Sequence, residues 1–352
     1  MVALRRTSLH ALAFVPPLYS LAWGLTVPHQ ASHGWWLLPL IAAIAWDFWA
    51  PPVREQPEPV PSWPFDAALY GLSALQLVNV ALLVRAMVLG VDAWETLEGV
   101  LLVGSSSGYS AIVVAHELVH RPQAHFRQLG RLLLCTVLYE HFATEHVRGH
   151  HKRVATGDDP ATARFGERLW PFVARTVPAQ LRSAWRLECK RLGDVDLGLL
   201  DQRQLHNRVL QGLVVGWGTV ALLLALGGIW AALAFVLQAA WAVLLLEAVN
   251  YIEHWGLERA GSRVTTVDSW DSESSWTYYT LVGLSRHADH HANAARPYQD
   301  LRWFDESPKM PWGYWATAIT AIFANPWVRS RYEAELRRRE LGPFRVLDRE
   351  AA

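Results

Sequence analysis

Lysine is nearly missing from these 352 residues. Lys152, Lys190 and Lys309 are the whole set, and arginine carries the rest of the positive charge. The formal net charge is zero, with 32 basic residues against 32 acidic ones. A balanced chain with no basic low-complexity tail argues against nucleic acid as a partner. Cysteine is also scarce. Cys135 and Cys189 lie far apart with no CxxC pair. That excludes a disulfide scaffold, a cysteine-ligated zinc site and an iron–sulfur or rubredoxin centre held by this chain alone. Both thiols are expected to be reduced and structural. No glycine-rich dinucleotide-binding turn is present either, so electrons for any redox chemistry must come from another molecule.

Apolar and aromatic residues are abundant: 52% of the chain is hydrophobic and 19 residues are tryptophan. Six apolar stretches, at 9–27, 34–50, 67–90, 96–117, 209–226 and 229–252, have the length of membrane spans, the second being the shortest. The first is interrupted by Pro16-Pro17 and reads as an uncleaved span rather than a signal peptide, since no small-residue cleavage site follows it. Gly104-Ser105-Ser106-Ser107-Gly108 offers a small-residue surface for close helix packing. The segments 28–33, 91–95 and 227–228 hold no Lys or Arg, whereas the other connections hold nearly all of them. This positive-inside pattern predicts an all-α, polytopic protein of six transmembrane helices with both termini cytoplasmic. Leu129–Leu138 is too short to span, and Trp312–Phe323 is expected to lie in the interface as an amphipathic helix. Arg85 is expected to snorkel, and Asp47 to reach the metal region or a water.

The chemistry-bearing pattern is histidine. His116 and His120 are four apart, as are His146 and His150, with His151 beside them; His287, His290 and His291 repeat the motif at i, i+3, i+4. On a helix such spacing puts two imidazoles on one face, able to grip one ion. Eight imidazoles exceed one mononuclear site and suit two metals held close together, although imidazole alone does not name the metal. All three clusters fall at what would be the cytoplasmic ends of spans. His10, His29, His33, His125, His141 and His206 lack the spacing and read as ordinary. Carboxylates recur beside the clusters, at Glu117, Glu145, Asp158, Asp159, Glu253 and Asp289, and several are expected to orient imidazoles by accepting the other ring N–H. Glu247 and Asn250 lie on the face of the last span that points toward the clusters. They are candidates for catalytic work alongside Glu117 and Asp289, the alternative being hydrogen bonding between helices.

HELVHRPQ, EHVRGHHKRVATGDDPA, NYIEHWGL and RHADHHANAARPYQ, in that order, resemble the motifs of the integral-membrane alkane monooxygenases, within the wider membrane fatty-acid desaturase and hydroxylase superfamily. The resemblance runs from about Asp47 to Gln299 and implies one desaturase/hydroxylase-like domain over 1–352. It implies a non-haem di-iron centre that hydroxylates a terminal methyl group of an alkane with O2, in the inner membrane. It also implies His254 as a ninth ligand and a small acidic rubredoxin, fed by its reductase, as electron donor. Val267–Ser272 departs from the family pattern in lacking histidine. The donor is expected to dock on Arg121, Arg127, Arg131, Arg148, Lys152 and Arg153. A hydrocarbon channel is expected among the first four spans and the sixth, with Trp46 and Trp49 setting chain length. A desaturase or hydroxylase of acyl, aromatic or terpenoid substrates is the rival reading. A non-catalytic membrane metal-binding or transport protein is the remote one.

Overall fold

The computed structural model describes residues 2–30 and 34–345; His33, the rest of 31–33, Met1 and 346–352 lie outside the described residues. Among the described residues there is no strand, only the isolated bridges Pro52–Ser274 and Asp271–Lys309. The helices that place the site are α1 (Val2–His10), α2 (Val15–Thr26), α3 (Leu38–Trp46), α4 (Trp63–Val88), α5 (Ala93–Val119), α6 (Ala124–Cys135), α7 (Leu169–Arg191), α8 (Arg208–His254), α9 (Ser275–Thr280), α10 (His287–Ala292), α11 (Tyr314–Phe323) and α12 (Asn325–Arg339). Of these, α4, α5 and α8 are long and apolar enough to cross a membrane.

The first expected span is α2 with the tighter turn Ala11–Phe14 before it, and Pro16 and Pro17 fall in the first turn of α2, where backbone N–H groups have no helical partner to lose. The second is helical only from Trp35 to Trp46, about 18 Å of rise. Helix α5 starts earlier than hydropathy alone predicts because Asp92 and Glu95 form a capping box, with Asp92 accepting from the Glu95 N–H at 2.8 Å and Glu95 from the Asp92 N–H at 3.1 Å.

Helix α8 contains both the fifth and sixth expected spans. It breaks at Gly228, whose φ of 78° and ψ of −178° lie in a region open essentially to glycine. The two arms are antiparallel. Gly212 on the first packs against Glu140, and Glu247 on the second accepts from the Tyr139 hydroxyl at 2.7 Å, so both arms return to one segment.

Helices α4, α5 and the second arm of α8 share a polar interior satisfied within the bundle. Ser107 Oγ donates to Gln238 Oε1 at 2.9 Å, Gln238 Nε2 to the Thr136 carbonyl at 2.8 Å, and Gln76 Nε2 to Ser107 Oγ at 3.0 Å. With no water at membrane depth, such groups must find partners in the protein. The small run 104–108 makes this approach possible: a Cβ on Gly104 would sit 2.8 Å from the Gln238 carbonyl oxygen. Near the other end of α5, buried Glu98 accepts from Trp23 Nε1 at 3.1 Å and from the Trp36 N–H at 3.0 Å, joining α2, the 35–37 turn and α5.

Two expectations change here. The segment around Trp312–Phe323 does not lie on the surface. Helix α11 is largely buried against α8, and its polar positions are quenched locally, Thr320 Oγ1 donating to the Ala316 carbonyl at 2.6 Å and Thr317 Oγ1 to the Trp312 carbonyl at 3.3 Å. Asp47 does not reach the histidines. Its buried carboxylate accepts from the N–H groups of Trp315 and Ala316 (3.0 and 3.2 Å) and from Thr277 Oγ1 (2.9 Å), so it caps α11.

Replacing Gly104 by Ala is expected to lower the melting temperature of the detergent-solubilised protein. The clash with a main-chain oxygen costs about 1–3 kcal/mol, which outweighs the helix-propensity gain of about 1 kcal/mol. Circular dichroism melting against the parent checks this.

Candidate metal centre

Helix α5 delivers His116 and His120. Just before them it widens into a π-turn over Gly108–Val113. His146–His150 form a second π-turn. A π-turn closes i to i+5, so residues five apart stack where an α-helix stacks residues four apart. His146 and His151 accordingly meet, Nε2 to Nε2 at 3.1 Å, while His146 and His150, their ring centroids 5.4 Å apart, do not share a group. His254 is the last residue of α8, and α10 carries His287, His290 and His291.

These rings assemble into two groups of four, His116, His120, His146 and His290 in one and His150, His254, His287 and His291 in the other, the potential ligand atoms of each lying within 4.8 Å of one another. The expected pairing of His146 with His150 therefore gives way: the second and third clusters are divided between the groups, while His116 and His120 stay together. His151 stands where the groups meet, its Nε2 3.1 Å from His290 Nε2 and its ring centroid 4.3 Å from that of His291. In the second group His291 Nε2 is 3.0 Å and His254 Nε2 3.3 Å from His287 Nε2.

This geometry fits a metal. Metal–nitrogen bonds of about 2.1 Å put adjacent ligand nitrogens roughly 3.0–3.4 Å apart in octahedral or tetrahedral coordination. The Nε2 atoms of His116 and His120 are buried with no hydrogen-bond partner, which a cation would resolve. Burial first, and neighbouring imidazoles second, hold His146, His151, His287, His290 and His291 well below the usual histidine pKa, so the rings are neutral and their lone pairs available.

The carboxylates divide by position. Asp159 accepts from His150 Nδ1 at 2.8 Å and from Thr162 Oγ1 at 2.6 Å, which fixes the ring with its Nε2 toward the group. Glu253 places Oε2 3.2 Å from His287 Nε2, on the ligand side of that ring. Glu117 is held by Arg121 Nε at 2.8 Å and the Tyr298 N–H at 3.4 Å, and Glu145 by Arg153. Asp289 accepts from Asn293, Arg296 and the Arg302 N–H at 2.7–2.8 Å and so anchors the chain after the third cluster. Asp158 is exposed. Glu247 is occupied by Tyr139, Gln180 and Asn250, which joins helices to one another, while Asn250 also faces the cavity described next.

Asp271 went unrecognised in the sequence. Its Oδ1 accepts from the Ala288 N–H at 2.8 Å and caps α10 from seventeen residues away, too distant for a local capping signal. Trp270 of the same histidine-free stretch donates to the Trp255 carbonyl at 3.0 Å, bracing the end of α8 beside His254. His141 is buried against Tyr139 outside both groups, His10 is enclosed by Phe65, Tyr278, Tyr279 and Tyr298, and His125 and His206 are exposed.

A narrow cavity opens onto His116, His146 and His287. Its wall is apolar, from Ile112 and Val113 on α5, Leu245, Leu246 and Val249 on α8, Leu281, Leu284, and Trp315 on α11. Trp46 and Trp49, expected near such a channel, are exposed and outside it, because α3 packs at the periphery; of the expected walls, α5 and the second arm of α8 contribute. Most of the expected basic patch is neutralised: Arg121 pairs with Glu117 and Asp66, Arg131 with Glu140, Arg148 with Glu188, and Arg153 with Glu145.

The family model described as fatty acid desaturase matches residues 92–318, which include all nine histidines. The chain is 38% identical over 254 residues to alkane 1-monooxygenase 1 of Pseudomonas aeruginosa, covering 67% of this chain and 64% of that protein. It is 33% identical over 317 residues to the alkane 1-monooxygenase of Pseudomonas putida, covering 88% and 77%. The hydroxylase component of the xylene/toluene monooxygenase of Pseudomonas putida is 26% identical over 213 residues, covering 58% and 55%. The chain thus spans a little under two thirds of the length of the first of these relatives.

Substituting any of the nine clustered histidines by Ala is expected to lower metal bound per chain, whereas His125→Ala and His206→Ala leave it unchanged. Elemental analysis of purified, folded protein reads this directly. His254→Ala with full metal content would remove that residue from the ligand set.

Proposed function

The chain belongs to the fatty acid desaturase family, among its alkane 1-monooxygenases, and we propose that it hydroxylates the terminal carbon of a medium- or long-chain alkane with O2, giving a primary alcohol and water. The observation that carries this reading is an apolar cavity ending on two four-histidine groups joined by a ninth ring. Iron bound there, as two ions, would supply the reduction of O2 and the oxidant for the C–H bond.

The chain's own residues do the rest. His116, His120, His146 and His290 would hold one ion and His150, His254, His287 and His291 the other, with His151 where the two groups meet. Asp159 retains the proton on His150 Nδ1 and so keeps Nε2 free to ligate. The cavity wall aligns an unbranched chain by its methyl end and keeps bulk water from the reacting carbon. Asn250 and Glu253 are the polar groups on that wall besides histidine and Tyr314, which places them to hold a proton or a hydroxyl near the reacting end. Glu117, Glu247 and Asp289 act at one remove, by fixing the helices that carry the ligands.

The reading extends to the membrane. Six crossings with cytoplasmic termini place the histidines on the inner side of a bacterial inner membrane. Exposed Trp35, Trp94 and Trp230 flank the three charge-free connections, and Trp46, Trp49 and Trp63 stand at the opposite end, as two interfacial belts would. Two electrons per turnover come from outside, from a rubredoxin-type carrier and its reductase.

The decisive test is iron content of the purified protein together with product analysis of whole cells given n-alkanes. 1-Alcohols are expected, and iron-replete protein yielding only unsaturated or aromatic products would transfer it to another reaction. Trp315 stacks on Tyr109 beside Gly108, about two helical turns along α5 from His116, and lines the cavity. Trp315→Ala should therefore shift the product profile toward longer chains, read by gas chromatography. A reporter fused after Gln299 should be active in the cytoplasm.

A further inference from the structure

Beyond the metal groups, the segment 157–164 and helix α7 border a second concavity, an open groove. Arg164 stands on one wall and Arg182, Arg186 and Lys190 on the other. All four are exposed, and none forms an ion pair among the described residues, unlike Arg121, Arg131, Arg148 and Arg153 around the clusters. Arg182, Arg186 and Lys190 succeed one another at intervals of four on one face of α7, so the helix itself lines up the charge. Like charges left unpaired on one surface repel one another, an arrangement that an anionic surface relieves.

The floor of this groove contains Asp159, whose carboxylate is bonded at 2.8 Å to His150 Nδ1. Hence the basic groove lies one hydrogen bond from a ring of the second histidine group. No other strongly charged surface described above combines unpaired charge with such a short path to the centre.

We propose that this groove is the docking site of the one-electron donor, a small acidic redox protein, and that electrons enter the centre from the Asp159–His150 side. The proposal rests on the monooxygenase reading above. Each docking oxidises one carrier by one electron; two dockings, with two protons from solvent, balance the reduction of O2 to one water and one hydroxyl oxygen. The groove is concave and walled on two sides, which suits a convex acidic surface better than a planar bilayer. Complementary charge raises the encounter rate and weakens with salt, since the Debye length falls from about 10 Å at 0.1 M to about 3 Å at 1 M.

The experiment uses the full chain in nanodiscs of neutral phosphatidylcholine, with an acidic rubredoxin as probe. Binding is measured by surface plasmon resonance at several salt concentrations for the parent, for Arg182→Glu/Arg186→Glu, for the milder Arg182→Gln/Arg186→Gln, and for Arg338→Glu on α12 as an equally exposed control. Metal content confirms that each variant is folded. The charge-reversed pair is expected to raise Kd about tenfold or more at low salt and to flatten its salt dependence. The neutral pair should fall between, and the control should match the parent. Alcohol formation should show a raised KM for rubredoxin with kcat retained. An unchanged Kd in the charge-reversed pair would overturn the proposal. So would a pair that binds rubredoxin normally and loses only association with discs containing anionic lipid, which would assign the groove to phosphate headgroups. If rubredoxin binds through the groove but no alkane is oxidised, the monooxygenase reading fails and the docking site stands; if alcohol forms normally with unchanged Kd, the reverse holds.

Discussion

Nine imidazole rings in contact with one another, six of them buried and three half-buried, are a costly arrangement for a protein unless something electropositive sits among them. Each neutral ring offers one donor and one acceptor, and nitrogens facing nitrogens at 3.0–3.3 Å cannot all be satisfied internally. Burial also keeps the rings from taking up protons, which would turn lone pairs into repelling charges. Much of the surrounding polar structure serves to hold this cluster in place. Asp159 orients one ring, Asp271 caps the helix carrying three, Trp270 ties down the end of the helix carrying His254, and Asp289 anchors the chain beyond.

Around the cluster the protein separates two kinds of surface. Toward the helices lies an apolar cavity, and toward the opposite side lie arginines, most of them paired with buried carboxylates. The polar groups at helix depth, Gln76, Ser107, Gln238 and Glu247, are consumed by one another and by neighbouring main chain. They stabilise contacts between helices without wetting the cavity. An apolar pocket against a ligand-rich centre is what the proposed reaction on an unactivated C–H bond requires.

Helical class, the apolar stretches and eight of the candidate ligands were legible because each is a local signal; His254 came only from the family resemblance. Runs of hydrophobic residues report helices, and histidines four apart report a shared face. The allocation of ligands to groups was not legible: the π-turn at His146–His150 replaces a four-residue period by a five-residue one, and no residue in that stretch announces it. Asp271 and Asp47 were missed or misplaced for a related reason. Each caps a helix far away in sequence, so its role appears only once the chain is folded. The burial of α11 escaped hydropathy because Thr317 and Thr320 satisfy their own hydroxyls, which makes a polar-looking face behave as an apolar one. Charge counting likewise overstated the patch around the first two clusters, since it does not see that Glu117, Glu140, Glu145 and Glu188 are folded against those arginines.

The division of the second and third clusters between both groups has a temporal consequence. His116, His120 and His146 leave the ribosome long before His290, and His150 long before His287 and His291. Neither group can close until that last stretch has been made, on the order of ten seconds later at elongation rates of about 5–20 residues per second. During that interval the early histidines are present without their partners, and a hairpin, α8, must insert before the late ones arrive. Metal uptake by these groups would thus be a final act of assembly. A half-made protein presents only fragments of two sites, which disfavours premature capture of stray ions by the growing polypeptide.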